Sequence, residues 1–122
     1  MNDPVIQPHQ PSPLSPAAFS ILLALKDGDK HGYAILRLVS EQSDGAVRLL
    51  PGTLYNLLKR MLDQGWIEEL EERPDPALDD ERRRYYRLSG LGEKIASQEA
   101  ERLAELVRLA HQRGLIERLE QG

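Results

Sequence analysis

The sequence predicts a mainly α-helical fold that contains one small β-hairpin. Apolar residues either run together or recur at helical spacing in four segments, and each segment is followed by a turn signal. Between the third and fourth segments the pattern changes to aromatic, branched and alternating residues on both sides of a Pro- and Asp-rich run, as in two strands joined by a long loop. At 122 residues, the chain is long enough for one compact domain.

The first two helices are predicted from their start and stop signals. Ser15 is a typical N-cap, and Pro16 suits the first helical position. Residues 17–25 are almost wholly apolar, and the Asp-Gly pair at 27–28 ends this helix. The second helix is predicted to start near the Lys-His-Gly sequence 30–32 and to run over residues 33–41, and the Ser-Asp-Gly turn at 43–45 ends it.

A short extended piece at 47–50 leads into the third helix, which is predicted to begin at the Pro-Gly-Thr sequence 51–53 and to end at the Gln-Gly pair 64–65. Its apolar residues follow the spacing of one helix face, and they are Leu54, Leu57, Leu58, Met61 and Leu62. The same geometry turns the polar residues outward, namely Tyr55, Asn56, Lys59 and Arg60.

Two strands are predicted after the third helix, over 66–72 and 83–88, with a breaker-rich loop at 73–81 between them. Glutamates of the first strand are expected to lie near Arg82 and Arg83 on the antiparallel partner. This charge match supports the pairing of the two strands.

A long last helix is predicted from Ser89 to about Arg113. Its apolar stripe has coiled-coil spacing and is too wide for one small domain to cover, so a second copy of the chain is the expected partner. The predicted dimer interface consists of Ala96, Ala100, Leu103, Leu106, Val107 and Ala110. Glu99 and Arg102 interrupt the stripe and are expected at its solvent rim.

The order helix, helix, helix, hairpin, helix is the layout of a winged helix-turn-helix domain with an added C-terminal helix. Residues 1–13 contain four prolines and almost no periodic apolar pattern, so a flexible tail is expected there. The predicted organisation is therefore this tail, a winged helix-turn-helix domain at 14–88, and a dimerisation helix with a short tail at 89–122.

The residue inventory excludes several function classes. The chain has no cysteine and only three scattered histidines, so neither a metal site nor a cofactor is expected. It shows no nucleophile with a base, no paired carboxylates and no Gly-rich phosphate loop, so no enzyme is predicted. Because it has neither a signal peptide nor an apolar run of ~18 residues, we expect a soluble cytoplasmic protein.

A DNA-binding surface is predicted around the third helix, although the formal net charge is −4. Binding needs only a local excess of cations, and the outward residues of this helix are types that contact base edges and phosphates. The helix start at 51–53 offers backbone N–H groups to a phosphate, and Arg82, Arg83 and Arg84 concentrate positive charge on the wing. The alternatives are an ordinary solvated helix face and cross-strand pairs between these arginines and glutamates.

Several separated motifs resemble the PadR family of bacterial transcriptional regulators. They are HGYAI at 31–35, LPGTLY at 50–55, LKR at 58–60, GWIE at 65–68 and RRYYRL at 83–88, followed by Gly92. The collinear match covers roughly residues 14–113. The resemblance implies a homodimeric winged-helix repressor of the family's short branch, which has a single C-terminal dimerisation helix, binds promoter DNA and is often released by a small ligand.

By position in these motifs, the resemblance implies DNA contacts from Tyr33, Thr53, Tyr55 and Lys59. For Tyr33, packing in the core is the alternative. Trp66, the sole tryptophan, is expected in the core, because a buried aromatic ring contributes a large apolar area. The alternative for Trp66 is a stacking platform for a small aromatic ligand at the dimer interface.

The predicted function is therefore sequence-specific DNA binding by a homodimeric transcriptional repressor that acts on a pseudo-palindromic operator. The rival interpretation is a winged-helix protein-interaction module that does not bind DNA, which the acidic total would permit. A steep salt dependence of duplex binding would separate the two, because only DNA contacts compete with counterions in this way.

Overall fold

A computed structural model of the chain describes residues 14–74 and 82–117. Its elements are, in order, α1 (Pro16–Lys26), β1 (Lys30–His31), α2 (Gly32–Gln42), α3 (Pro51–Asp63), β2 (Ile67–Pro74), β3 (Arg82–Leu88) and α4 (Gly90–Gln112). The predicted mainly α-helical, winged helix-turn-helix fold with a long C-terminal helix is confirmed. The predicted tail at 1–13, residues 75–81 of the predicted loop and residues 118–122 lie outside the described residues.

Three of the four helices in the described part of the chain begin with a side-chain cap. Ser15 caps α1 and Ser89 caps α4, with a hydroxyl oxygen that accepts a backbone N–H over 3.1 and 2.9 Å, respectively. His31 caps α2, because its Nδ1 accepts a backbone N–H over 3.2 Å. These bonds satisfy donors that the first turn of a helix leaves without an intrahelical acceptor. The N-cap of α3 is Leu50, which makes no such bond.

The sheet has three antiparallel strands in the order β1-β3-β2, whereas the sequence predicted a hairpin of two. Lys30 and His31 pair with Tyr86 and Tyr85 on β3, and this short strand was not predicted. Helix α2 begins at Gly32, within the predicted start at 30–32. A strand of two residues is too short to show an alternating pattern in the sequence. It forms because the open edge of β3 can pair with it.

Strands β2 and β3 form the wing of the domain. Ile67 lies opposite Leu88, and Glu69 lies opposite Tyr86. The cross-strand ion pair that the structure describes joins Glu69 to Arg84, with 2.9 Å between Arg84 Nε and Glu69 Oε2, whereas the side chains of Arg82 and Arg83, where the charge match was expected, lie outside the described residues. The wing is therefore held by the backbone ladder and by at least one cross-strand ion pair.

The hydrophobic core lies between α1, α2, α3, the sheet and the start of α4. Its buried apolar residues are Ala18, Ile21, Leu22, Ala24, Leu25, Ile35, Val39, Leu54, Leu58, Met61, Trp66, Ile67, Tyr86 and Ile95. Five of them belong to α1, which agrees with a helix that is apolar on most sides. Burial of each large apolar side chain contributes about 1.5–3 kcal/mol, so this cluster is the main source of stability.

The start of α4 is fastened to the residues that follow α3. Ser89 Oγ donates to the carbonyl oxygen of Gly65 over 2.6 Å, and the Ser89 N–H donates to the carbonyl oxygen of Trp66 over 3.0 Å. At Gly92, a β-carbon would collide with the same Trp66 carbonyl, so only glycine permits this approach. The first turn of α4 therefore has a fixed position relative to the end of α3.

Only the first part of α4 packs against the rest of the domain. Ile95 is buried in the core, and Lys26 Nζ on α1 lies 3.1 Å from Glu93 Oε1. Further along, Leu106 and Val107 are 50% and 44% exposed. The predicted division at residues 88 and 89 remains a prediction. Within the described ranges, no helix combines the length and the apolar character that a membrane crossing requires.

Candidate nucleic-acid interface

Helix α3 has one buried face and one exposed face, as predicted. Leu54, Leu58 and Met61 are at most 2% exposed. The predicted DNA-contacting residues of this helix all lie on the exposed side, and they are Thr53, Tyr55, Asn56, Lys59 and Arg60. Burial of the apolar face fixes the helix in the domain, so the polar face is presented on a rigid element.

Lys59 and Arg60 carry the positive charge of this face. Among the side chains that the structure describes, no carboxylate forms an ion pair with either of them. Other cations of the domain are paired, for example Arg37 with Glu41 at 3.8 Å. A phosphate or a guanine edge could therefore bind Lys59 and Arg60 without displacing an ion pair of the described residues.

Tyr33 and Tyr55 are exposed beside the contact between α2 and α3. They are 55% and 50% exposed, so the alternative that Tyr33 packs in the core was wrong. The hydroxyl of Tyr55 lies over Gly32, the first residue of α2. The Cζ atom of Tyr55 is 3.0 Å from the position that a β-carbon on Gly32 would take. The phenol of Tyr55 is thus supported by α2 while half of its surface faces solvent.

Tyr86 on β3 is only 3% exposed and belongs to the hydrophobic core. Burial raises the pKa of Tyr86, and the charges of Glu69 and Tyr55 raise it further.

The arginine side chains that the structure describes on the wing form ion pairs and also remain partly exposed to solvent. Arg84 pairs with Glu69 but keeps 59% of its side chain exposed. Arg87 was not predicted to have a partner outside the hairpin, and its Nε lies 3.4 Å from Asp29 Oδ1, before β1. This hydrogen bond raises the pKa of Arg87. The backbones of Arg82 and Arg83 begin β3, and their side chains lie outside the described residues.

The first turn of α3 is open to an approaching ligand. Pro51, Gly52 and Thr53 are exposed, and a β-carbon added to Gly52 would meet no atom within 4 Å. Leu50, the N-cap residue, makes no side-chain bond to the backbone N–H groups of this turn. This geometry agrees with the predicted phosphate contact at the positive end of the helix dipole.

The predicted dimer stripe of α4 divides into two parts. Ala96 packs against the core, and Ala100 lines a groove with Phe19 and Leu23 of α1. Beyond this groove, Leu106 and Val107 are exposed. The first part of the stripe is therefore covered partly by the chain's own α1, and the second part is uncovered.

The prediction that Glu99 lies at the solvent rim was wrong. Glu99 is only 6% exposed, and Arg102 Nε and Nη2 donate to its two carboxylate oxygens over 2.9 and 2.5 Å. These bonds lower the pKa of Glu99, and a hydrogen bond from the Leu14 backbone acts in the same direction. The bidentate partner offsets the cost of removing the charge from water, which explains how the carboxylate is buried.

A family model described as the transcriptional regulator PadR-like family matches residues 21–98, more than half of the chain. The chain belongs to this family. Among curated proteins, an uncharacterized 37.1 kDa protein in transposon TN4556 of Streptomyces fradiae is 37% identical over 90 residues. The match covers 74% of this PadR-like chain and 24% of that protein, so the chain spans about a quarter of this relative's length.

Solved structures show the same fold. A transcriptional regulator from Clostridium thermocellum matches with a TM-score of 0.65 and 26% identity, over 82% of this PadR-like chain and 90% of that chain. A PadR family transcription regulator from Clostridium difficile matches with a TM-score of 0.67 and 22% identity, over 80% and 97% of the two chains. Bacillus subtilis PadR, solved in complex with operator DNA, matches with a TM-score of 0.57 and 21% identity, over 66% and 44%. The last two likenesses show the fold alone.

The structure also decides the position of Trp66 in this PadR-like chain. Its side chain is 6% exposed within the core, so the core interpretation is confirmed. A stacking platform would need an accessible ring face, so the alternative of a ligand contact at Trp66 is not supported. The contact between Gly32 and Tyr55 was not predicted, because no local pattern in the sequence indicates it.

Proposed function

We propose that this PadR-like chain is a transcriptional repressor that binds operator DNA as a homodimer. The observation that carries the proposal is the exposed face of α3, where Lys59 and Arg60 have no ion-pair partner among the described residues. An amphipathic helix that is fixed by its leucines and exposes amide, amine and guanidinium groups suits the major groove of a duplex.

Each exposed residue receives a role from its chemistry and position. The hydroxyls of Thr53 and Tyr55 donate to phosphates at the start of α3, and Tyr33 does the same from α2. Asn56, Lys59 and Arg60 face the base edges, where Asn reads adenine and the two cations read guanine. Arg82, Arg83 and Arg84 hold the wing against the flanking backbone, so phosphate contacts position the domain while α3 reads the sequence.

The homodimer is proposed from the uncovered part of α4. This helix contains 23 residues, which corresponds to a length of about 34 Å at ~1.5 Å per residue. Its exposed leucine and valine at 106 and 107 are neighbours of half-buried Leu103 and Ala110 on the same stripe. A second copy offers an identical stripe, and a two-fold dimer presents two recognition helices to a pseudo-palindromic site.

Release by a small aromatic ligand is the regulatory part of the proposal. The described residues leave a groove of about 230 Å³ between α1 and α4, lined mainly by apolar side chains such as Phe19, Leu22 and Ala96. A ligand seated there would contact both helices. It would shift the equilibrium between two arrangements of the dimer only to the extent that it binds one arrangement more tightly than the other.

Bacillus subtilis PadR was solved with operator DNA, which supports DNA as the partner for this fold.

The test is selection of duplexes from a randomised pool with the full chain, followed by fluorescence anisotropy on the enriched duplex. We expect the affinity to fall steeply between ~50 and ~200 mM salt, because each phosphate contact releases counterions. If no duplex is enriched, or if binding is insensitive to salt, the chain is a winged-helix protein-interaction module instead.

A further inference from the structure

Leu50, immediately before α3, is unusual in two ways. It occupies the N-cap position with φ −80° and ψ 152°, but it makes no side-chain cap bond. Ser, Thr, Asp or Asn would stabilise the helix at this position, as Ser15 and Ser89 do elsewhere in the fold. The Leu50 side chain is also 74% exposed, so packing does not account for a leucine here.

The residues before α3 show which way Leu50 points. Along 47–50 the side chains alternate between half-buried and exposed. Val47 and Leu49 pack against the core, whereas Arg48 and Leu50 are exposed. Arg48 and Leu50 therefore lie on the same outward side of this segment, and exposed Thr53 follows three residues later on α3.

We propose that Leu50 is a specificity-determining residue that contacts the 5-methyl group of a thymine at the edge of the half-site read by α3. The inference rests on the proposed DNA binding. The thymine methyl is the apolar feature of the base edges in the major groove, and apolar side chains read it. Arg48, exposed beside Leu50, contacts a neighbouring phosphate and holds this segment against the duplex.

The surroundings of Leu50 favour DNA over a protein partner. Two of the other exposed leucines in the described part of the chain, Leu106 and Leu115, belong to the last helix and the residues after it, where the exposed apolar residues Val107 and Ile116 follow them. Leu50 instead precedes the first turn of α3, near the exposed polar residues Thr53 and Tyr55. A single leucine among polar groups matches one methyl group in a groove better than it matches an apolar protein surface.

The experiment uses the full chain and the duplex that the wild type enriches from a randomised pool. Each thymine of that duplex is replaced in turn by uracil, which lacks the methyl group. At one thymine in each half-site, uracil is expected to weaken wild-type binding about fourfold, which corresponds to ~0.8 kcal/mol for a methyl-sized apolar group. Leu50→Ser should bind the thymine and uracil duplexes equally, whereas Leu115→Ser, a control at a comparably exposed leucine, should keep the wild-type preference.

A folding control accompanies these measurements. Leu50→Ser should have a Tm at least as high as the wild type, because serine is a favoured N-cap and an exposed leucine packs against little. Leu50→Ala should lose the preference for thymine in the same way without gaining a cap. If the wild type shows no position with a preference for thymine, or if Leu50→Ser retains it, the assignment is overturned while the proposed DNA binding stands. If the wild type enriches no duplex, the proposed function fails and the assignment fails with it.

Discussion

The hydroxyl of Tyr55 on α3 lies directly over Gly32 on α2, in the space that a β-carbon on residue 32 would occupy. The ring atoms Cζ and Cε1 are 3.0 and 3.2 Å from that position. Glycine leaves the half-exposed phenol of Tyr55 in this position, whereas a β-carbon on residue 32 would force the ring to move. The pair couples the geometry of α2 to an exposed side chain of the proposed recognition helix.

The first prediction is that Gly32→Ala weakens operator binding by displacing Tyr55. The new methyl group would overlap the phenol, so the ring must rotate away from its position over Gly32. Loss of one phosphate contact should cost about 1–3 kcal/mol of binding free energy, measured by anisotropy on the selected duplex. Gly90→Ala is the control, because a β-carbon at Gly90 meets no atom within 4 Å. Equal affinities of the two variants would contradict the role of this contact.

A second prediction concerns the cations of α3. Lys59→Ala and Arg60→Ala should each weaken binding by about 1–3 kcal/mol and reduce the salt dependence, because each removes a contact to a base or a phosphate. The thermal unfolding temperature should stay near that of the wild type, since both side chains are exposed. Lys94→Ala, at an exposed lysine on α4, removes the same charge away from α3 and should bind as the wild type does. An unchanged affinity in both α3 variants would refute the recognition-helix assignment.

A third prediction is that Leu106→Glu combined with Val107→Glu abolishes the dimer. Two carboxylates on the uncovered stripe would be buried without partners in the proposed interface, which is strongly unfavourable. Sedimentation velocity should show a monomer with an unchanged circular dichroism spectrum. Arg108→Glu changes the net charge by the same amount outside the stripe and should remain dimeric. A dimer that persists in the double variant would place the interface elsewhere.

The fourth prediction follows from the buried ion pair on α4. The bond from Arg102 lowers the pKa of Glu99, so the folded chain holds this carboxylate in its charged form more firmly than the unfolded chain does. Its contribution to stability is therefore present above the ordinary pKa of 4.5 and is lost as the pH falls through the lowered value.

Glu99→Gln should accordingly lower the free energy of unfolding by about 1–2 kcal/mol at pH 7, and the difference from the wild type should shrink below pH 4.5. Denaturant unfolding at several pH values measures both effects. Glu105→Gln removes a carboxylate that is paired with Arg108 in the same i, i+3 geometry but exposed, and it should change stability little. If the loss in the free energy of unfolding is the same at every pH, Glu99 contributes through the packing of its side chain and not through its charge.

The parts of this fold that could be predicted depend on local patterns. The leucine spacing of α3 determines both of its faces, because one helical period places Leu58 inward and Lys59 outward. Ser15 and Ser89 cap their helices through bonds to residues only three positions away, so their signals are contained in the sequence itself.

The features that could not be predicted depend on contacts between distant parts of the chain. Strand β1 exists because the edge of β3 accepts it, and two residues are too few to show a period. Glu99 is buried because Arg102 holds it and the Leu14 backbone reaches it from the other end of the chain. Tyr55 and Gly32 are 23 positions apart, and only the packing of α2 on α3 brings them together.

The hydrogen bonds of Ser89 to Gly65 and Trp66 join the start of α4 to the residues that follow α3. In the proposed dimer, a tilt of α4 by roughly 5° would displace the far end of this helix, about 34 Å long at ~1.5 Å per residue, by about 3 Å. Because the recognition helices must match successive major grooves, a displacement of this size is large compared with the reach of a hydrogen bond. In that dimer, an effector in the groove between α1 and α4 would change DNA affinity without contacting α3 at all.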